Sequence, residues 1–385
     1  MPSSKIDYNI LDAINIERTF LLCVGYYPLH TKNKVFYLLH TTSFLFSISV
    51  GGGQFLSMFI QMMIDIQDLS KVSETLFFFL THSTYMCKMV NFLFNKRRLI
   101  EIEDQLSQPV FYEFPMERLK ILIRKVEATK TVALTFRIMC SLAVVLSCLM
   151  PYVDPNKRHS LPLSGWLPYN TTKYYYPTVA FQVTAVCYTA ANNVNFDSLT
   201  WILITIASAE FDILKENLKN LDYKGDKLRV GKKFNDCVNH HKEIVRFVYK
   251  IESTFSKGIF LTFLASVVVI CFTGFMMIIV PFLGPQFIFL AVYLSCMMTE
   301  VAVYCWYGHD VMTTSDEIGN FFYTSNWYES DLSLRQSMAI FLERTKKPVT
   351  LTGGKLVVLS LPTFTSILRS SYSYFAVLQH LYYDS

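Results

Sequence analysis

Seven stretches of this chain are apolar for long enough to cross a bilayer, and no other feature limits its folding as much. A hydrocarbon core of about 30 Å needs about 20 apolar residues in a helix. The stretches at 35–63, 76–94, 131–153, 178–208, 258–281, 287–309 and 356–379 have that length. Backbone amides in lipid must bond within their own segment, so each stretch is expected to be a helix. Composition agrees, with 52% of residues hydrophobic and 17% charged. Soluble chains carry about 25% charged residues, so too few charges remain to coat two or three soluble domains. Disorder is excluded as well, because 32 Phe and 23 Tyr demand burial.

Polar residues inside the stretches are informative. Lys88, Arg137 and Arg369 lie in the second, third and seventh, and Glu300 is mid-span in the sixth. Ionisable groups at membrane depth are functional candidates, and salt bridges between helices are the simpler reading. Gly51-Gly52-Gly53 in the first span allows close helix approach. Residues 1–34 carry Asp7, Asp12 and Glu17 around one short apolar run at 20–27, so the first span is expected to act as the insertion signal.

Orientation follows from Lys and Arg. With the N-terminus cytoplasmic, the inside segments 1–34, 95–130, 209–257 and 310–355 hold 28 basic residues, and the outside segments hold 4. The inside segments are also longer, so the bias in density is about twofold, in the direction of the positive-inside rule. The N-x-S/T sequon at Asn170-Thr171-Thr172 falls in an outside loop, so Asn170 is a candidate glycosylation site. An odd number of spans then puts the C-terminus outside, the reverse of a G-protein-coupled receptor. Asp-Arg-Tyr and Asn-Pro-x-x-Tyr are also missing at the places that class requires.

The inside connections are helical rather than linker-like. Val238, His241, Ile244, Val245, Val248 and Ile251 recur at helical spacing, as do Leu334, Met338, Phe341 and Leu342. Their apolar faces need partners, either within the subunit or in a layer shared between subunits. The outside loop 154–177 is aromatic, with Trp166, Tyr169, Tyr174, Tyr175 and Tyr176. Such residues favour the headgroup level, as a membrane-surface lid or as the mouth of a cavity. No Gly-rich phosphate loop, H-E-x-x-H or C-x-x-C is present, and no Cys/His set has metal-ligand spacing. No catalytic residue, cofactor or metal is therefore expected. The net charge of +5 without a basic block gives no sign of nucleic-acid binding.

In the last span Leu361-Pro362 is expected to break the helix start. Beyond it, Ser366, Ser370, Ser373, Val377 and Leu381 share one helical face. A hydroxyl stripe can be glue between helices or a pore wall, with Val377 and Leu381 closing the path by dewetting. A pore requires several copies around an axis. The opposite face carries Phe364, Ile367, Phe375 and Leu378.

Several motifs resemble the insect odorant receptor family. One runs from Cys237-Val238-Asn239-His240-His241 to Ile251-Glu252-Ser253-Thr254-Phe255-Ser256. Others are Tyr304-Cys305-Trp306-Tyr307-Gly308 and Tyr323-Thr324-Ser325-Asn326-Trp327. The C-terminal set is the most specific: Lys347-Pro348 to Leu351-Thr352-Gly353-Gly354, then Leu359-Ser360-Leu361 and Ser371-Tyr372-Ser373-Tyr374-Phe375. The resemblance covers the whole chain. It implies an all-α membrane protein of seven transmembrane helices, N-terminus cytoplasmic and C-terminus extracellular, with helices extending into a cytoplasmic anchor layer. It also implies a subunit of a tetrameric, odorant-gated, non-selective cation channel in the plasma membrane of a sensory dendrite. The last helix would line the pore, with Val377 and Leu381 at its constriction. The partners would be a shared co-receptor (Orco), a small volatile odorant and lipid. The co-receptor has a long insertion after span four; the loop 209–257 lacks one, so the chain resembles a tuning subunit.

On that resemblance the chain divides into an N-terminal segment (1–34), spans one to four with the outer pocket region (35–208), a cytoplasmic extension (209–257), spans five and six (258–309), anchor helices (310–355) and the pore helix with the C-terminus (356–385). The pocket is expected in the outer half of the bundle. There the second span places Phe78, Thr81 and His82, and the third Leu142, Val145 and Leu149. The fourth adds Phe181, Ala185 and Tyr188, and the sixth Phe289 and Tyr293. The set lacks an acid, Lys or Arg and suits a small neutral ligand; for any one of its members ordinary bundle packing is the better reading. A gustatory-receptor-like channel and a secondary transporter are the alternative readings.

Overall fold

The computed structural model describes residues 9–28, 33–67, 69–153, 161–221 and 226–384. All seven apolar stretches are long helices in it. In chain order the α-helices are α1 (Asn15–Val24), α2 (Lys34–Ile64), α3 (Leu69–Phe94), α4 (Lys96–Leu106), α5 (Met116–Val153), α6 (Tyr175–Lys219), α7 (Lys227–Ile279), α8 (Pro285–Tyr323), α9 (Leu332–Thr345) and α10 (Leu361–Asp384). Among the described residues α2, α5, α7 and α8 are each long and apolar enough to cross a membrane by length and composition. The other three spans are α3, which holds Lys88, α6, and α10, which holds Arg369.

The centre of the bundle is α6. From Val194 to Phe211 nearly every side chain is buried, the polar Asn195, Asp197, Ser198, Thr200, Thr205, Ser208 and Glu210 included. It packs against α5, α7 and α8, and on its other sides against α1, α2 and α3. On the outer faces of α2 and α5, by contrast, Phe36, Leu38, Leu45, Leu134 and Ile138 are exposed. A helix apolar on its outer face and packed on its inner one is what a lipid-bordered bundle requires.

Several helices outrun the bilayer. At 1.5 Å per residue the 53 residues of α7 extend about 80 Å, far more than a hydrocarbon core of about 30 Å. α6 and α7 run unbroken across 208/209 and 257/258. Their far halves, with the start of α5, the end of α8, and α4 and α9, form a second helical layer. Ion pairs tie it together: Lys125 Nζ lies 2.6 Å from Asp212 and 3.1 Å from Asp310, and Lys215 Nζ lies 2.6 Å from Glu317. The apolar faces expected at 238–251 and 334–342 meet largely within the subunit. Ile244, Val248, Ile251, Met338 and Phe341 are buried in the chain itself, and the Phe341 ring sits 5.4 Å from His241 and 5.7 Å from Phe234. His240 Nε2 is 2.9 Å from Glu210 Oε2. Burial in this layer, outside the spans, pushes His240 down to about 4. His241 falls to about 4 through burial and the nearby Arg344, while burial raises Glu210.

One expectation is corrected. The last helix does not begin at 356 with a break at Pro362; it begins at Leu361. Pro362 sits in its first turn, where an amide would be unpaired anyway. The residues before it form a two-stranded antiparallel hairpin, Thr352–Gly353 against Val357–Val358. Gly354, at φ +62°, turns the hairpin and donates its amide to the Ser256 carbonyl at 2.9 Å. At Gly308 of α8 a Cβ would overlap Leu359 beside the hairpin, so only glycine fits. The described part of the N-terminal segment packs on the bundle: α1 docks on α6, and Asn195 Nδ2 donates to the Glu17 carbonyl at 3.0 Å. Residues 1–8 and 29–32 of the segment lie outside the described residues.

Candidate functional site

Away from the helical layer, α3, α5, α6 and α8 surround a cavity of about 130 Å³. Its wall is mostly apolar. Phe78 stacks on Phe289 at 5.9 Å and both contact Tyr293. The Thr81 hydroxyl donates to the Phe77 carbonyl, so it accepts from the Tyr293 hydroxyl at 2.7 Å. His82 Nε2 lies 2.9 Å from the Gly51 carbonyl in the glycine triplet of α2. A carbonyl only accepts, so that nitrogen carries the hydrogen.

The loop before α6 borders this region. The Leu163 side chain lines the cavity. Its backbone is held by Gln182, whose Nε2 donates to the Leu163 carbonyl at 3.0 Å and whose Oε1 accepts from the Leu163 amide at 3.2 Å. Trp166 donates its amide to the Ser57 carbonyl at 3.0 Å, tying the loop to α2.

At one end of the cavity is a buried ionic cluster. Lys88 Nζ donates to Asn193 at 3.0 Å, Asp197 at 2.7 Å and Glu300 at 2.8 Å. Tyr304 donates to the same Asp197 oxygen at 2.6 Å. Asn193 and Glu300 also line the cavity. Of the other ionisable span residues, Arg137 reaches Glu17 at 3.4 Å and Arg369 is exposed on α10.

The structure brings together part of the expected pocket set. Phe78, Thr81, His82, Phe289 and Tyr293 line the cavity. Leu142, Val145 and Leu149 do not: they turn outward with 48%, 53% and 46% exposure. Their place on α5 is taken by Cys140, Ala143, Val144 and Ser147. Phe181, Ala185 and Tyr188 are likewise not at the cavity. Tyr188 bonds to Ser47 of α2, Phe181 borders Gly53 and Ala185 is fully buried. On α6 the cavity is lined instead by Val186, Thr189, Ala190, Asn193 and Val194. The spacing was helical in both cases, but the face was wrong. When lipid and interior are both apolar, hydrophobicity alone cannot tell the two sides of a helix apart. Asn193 and Glu300 were outside the expected set, although Glu300 had a visible signal as an acid in an apolar stretch.

On α10 the face toward α7 and α8 is the one with Ile367, Ser371 and Phe375. Ile367 and Ser371 are buried, and Phe375 contacts Gly274. On the other side Ser366, Ser373 and Val377 are exposed and Ser370 is half-buried. The Leu381 side chain lies outside the described residues. Asn170 is exposed in the turn before α6, and its Oδ1 accepts from the Thr172 hydroxyl at 2.6 Å.

Comparison with known proteins places these features in context. The family model described as 7tm Odorant receptor matches residues 68–372. Odorant receptor Or1 of Anopheles gambiae is 24% identical over 82% of this chain and 83% of its own length. Odorant receptor 85b of Drosophila melanogaster is 28% identical over 62% of this chain and 63% of its own. The solved structure of olfactory receptor OR5 from Machilis hrabei in complex with eugenol superposes with a TM-score of 0.86, at 16% identity and 97% coverage of both chains.

Proposed function

The chain belongs to the insect odorant receptor family, and from that premise we propose that it is the odorant-tuning subunit of a heterotetrameric, odorant-gated, non-selective cation channel. The observation that carries the reading is the apolar cavity of about 130 Å³ between α3, α5, α6 and α8. A site of that kind takes a small, mostly apolar molecule and orients it with few polar groups. The chain works with the shared co-receptor in the plasma membrane, N-terminus inside, as the excess of 28 basic residues over 4 supports.

In this assembly the exposed face of α10, with Ser366, Ser370, Ser373 and Val377, together with Leu381, borders the ion path. The long helical layer is the cytoplasmic anchor. An odorant in the cavity shifts the channel only as far as it binds the open form more tightly than the closed one. The test is current recording from cells expressing the chain with and without the co-receptor under an odorant panel. Odorant-evoked cation current that needs both subunits is expected. Odorant-coupled solute uptake without current would overturn the channel reading.

A further inference from the structure

The polar end of the cavity is arranged to receive a hydrogen-bond donor. We propose that the ligands of this chain carry one, a hydroxyl or a protonated amine, that docks on the Glu300 carboxylate. The inference rests on reading the cavity as the odorant site.

It follows from counting donors and acceptors in the lining. Four donors at or beside the cavity are committed to the protein, and the Ser147 hydroxyl and the Asn193 amide also line it. Thr81 donates to the Phe77 carbonyl, Thr189 donates to the Ala185 carbonyl at 2.8 Å, and His82 donates to the Gly51 carbonyl at 2.9 Å. The ammonium of Lys88 spends its three hydrogens on Asn193, Asp197 and Glu300. The acceptors are in surplus. One ammonium faces the two carboxylates of Asp197 and Glu300, and Glu300, the one that lines the cavity, accepts it through Oε1, which leaves Oε2 without a donor among the described residues. Glu300 is 3% exposed, so bulk water does not offset the imbalance.

A ligand hydroxyl or ammonium at Glu300 supplies the missing donor, and an ammonium also supplies the missing charge. An ether or ester brings only further acceptors to a carboxylate. The remaining wall, with Phe78, Ala143, Val186 and Phe289, holds an aliphatic or aromatic body. The size bounds that body, since a dry cavity of about 150 Å³ accommodates benzene.

The test is a panel of size-matched triplets, each an alcohol, a primary amine and a methyl ether on one aliphatic or aromatic body. It is applied to cells expressing the chain with its co-receptor. The active members are expected to be alcohols or amines, at least about tenfold more potent than the matched ether. In E300Q, checked for surface expression, that gap narrows to about threefold or less. Ethers or carbonyl analogues as potent as alcohols on the wild type overturn the proposal, because they bring no donor to Glu300. A panel in which no donor-bearing compound acts overturns it too. The wild-type comparison stands even if E300Q does not reach the surface. A143W separates this proposal from the reading beneath it. If filling the cavity leaves every response intact while the variant is at the surface, the cavity is not the odorant site. If it abolishes responses while ethers match alcohols on the wild type, the site stands and the donor requirement falls.

Discussion

Lys88 is the residue on which the buried ionic cluster depends. Its side chain is 7% exposed, and its ammonium holds Asp197 and Glu300 at 2.7 and 2.8 Å. Removing one partner of a buried ion pair costs about 3–5 kcal/mol, because the charge left behind has no compensation. Lys88→Met leaves two carboxylates facing one another, so it is expected to abolish surface expression, read by labelling intact cells. Adding Glu300→Gln to it should restore part of that loss, since the two residues act as a unit. A second contrast separates the cavity from its surroundings. Tyr293→Phe removes a hydroxyl bonded to Thr81 within the lining. One such hydrogen bond contributes about 0.5–1.5 kcal/mol, so agonist ranking should shift by up to about tenfold with surface expression intact. Tyr188→Phe removes a hydroxyl that points to Ser47 of α2, so stability should fall and ranking should stay. The sequence marked Lys88 and Glu300 as charges in apolar stretches. That one ammonium serves both acids, from residues 212 positions apart, is a consequence of folding.

At the level of single helices, α10 and α7 carry the sharpest expectations. On α10 the face with Ser366, Ser373 and Val377 is exposed although Val377 is apolar, with 56% of its surface free. If that face borders a pore, changing Val377 or Leu381 to Ser in most copies of the assembly should raise basal current by easing the wetting of the constriction. Basal current like the wild type at normal surface levels would place the gate elsewhere. The amphipathic pattern of α10 was legible because its two sides differ in chemistry. On α5 and α6 lipid and interior were both apolar, and the face was not. The part of α7 beyond the spans gives a pH dependence. His240 and His241 sit near 4 in the folded layer, below the ordinary value of about 6.5. The unfolded chain then binds more protons between those values, so stability falls as pH drops from about 6.5 toward 4. Glu210 is raised by burial and acts oppositely above its ordinary range, one group against the two histidines. Faster hydrogen exchange in 230–251 at pH 5 than at pH 7, after correction for intrinsic rates, is the expected reading.

Across the whole molecule the helical layer separates what folds a subunit from what can join subunits. Phe341 is 5% exposed and packed on Phe234 and His241, while the adjacent Ile340 is 73% exposed. Phe341→Asp is therefore expected to destroy the layer and the surface pool together. Ile340→Asp should leave a folded subunit and lower the yield of tetramer on a native gel. Equal loss for both would mean that the layer makes no contact between subunits. The seven spans, their helical character and the continuation of helices past the membrane were determined by the sequence alone, because they rest on local properties: apolar length, periodicity and the obligation to satisfy backbone amides. The family was legible for the same reason, its motifs being runs of neighbouring residues. Only the tertiary structure decided which face of α5 and α6 meets the cavity, that α1 docks on α6, and that a hairpin precedes α10. It also decided that Lys88, Asp197 and Glu300 form one cluster at the cavity floor. Each of these is a contact between distant segments, and in an apolar solvent the hydrophobic pattern that orients a soluble helix carries no such information.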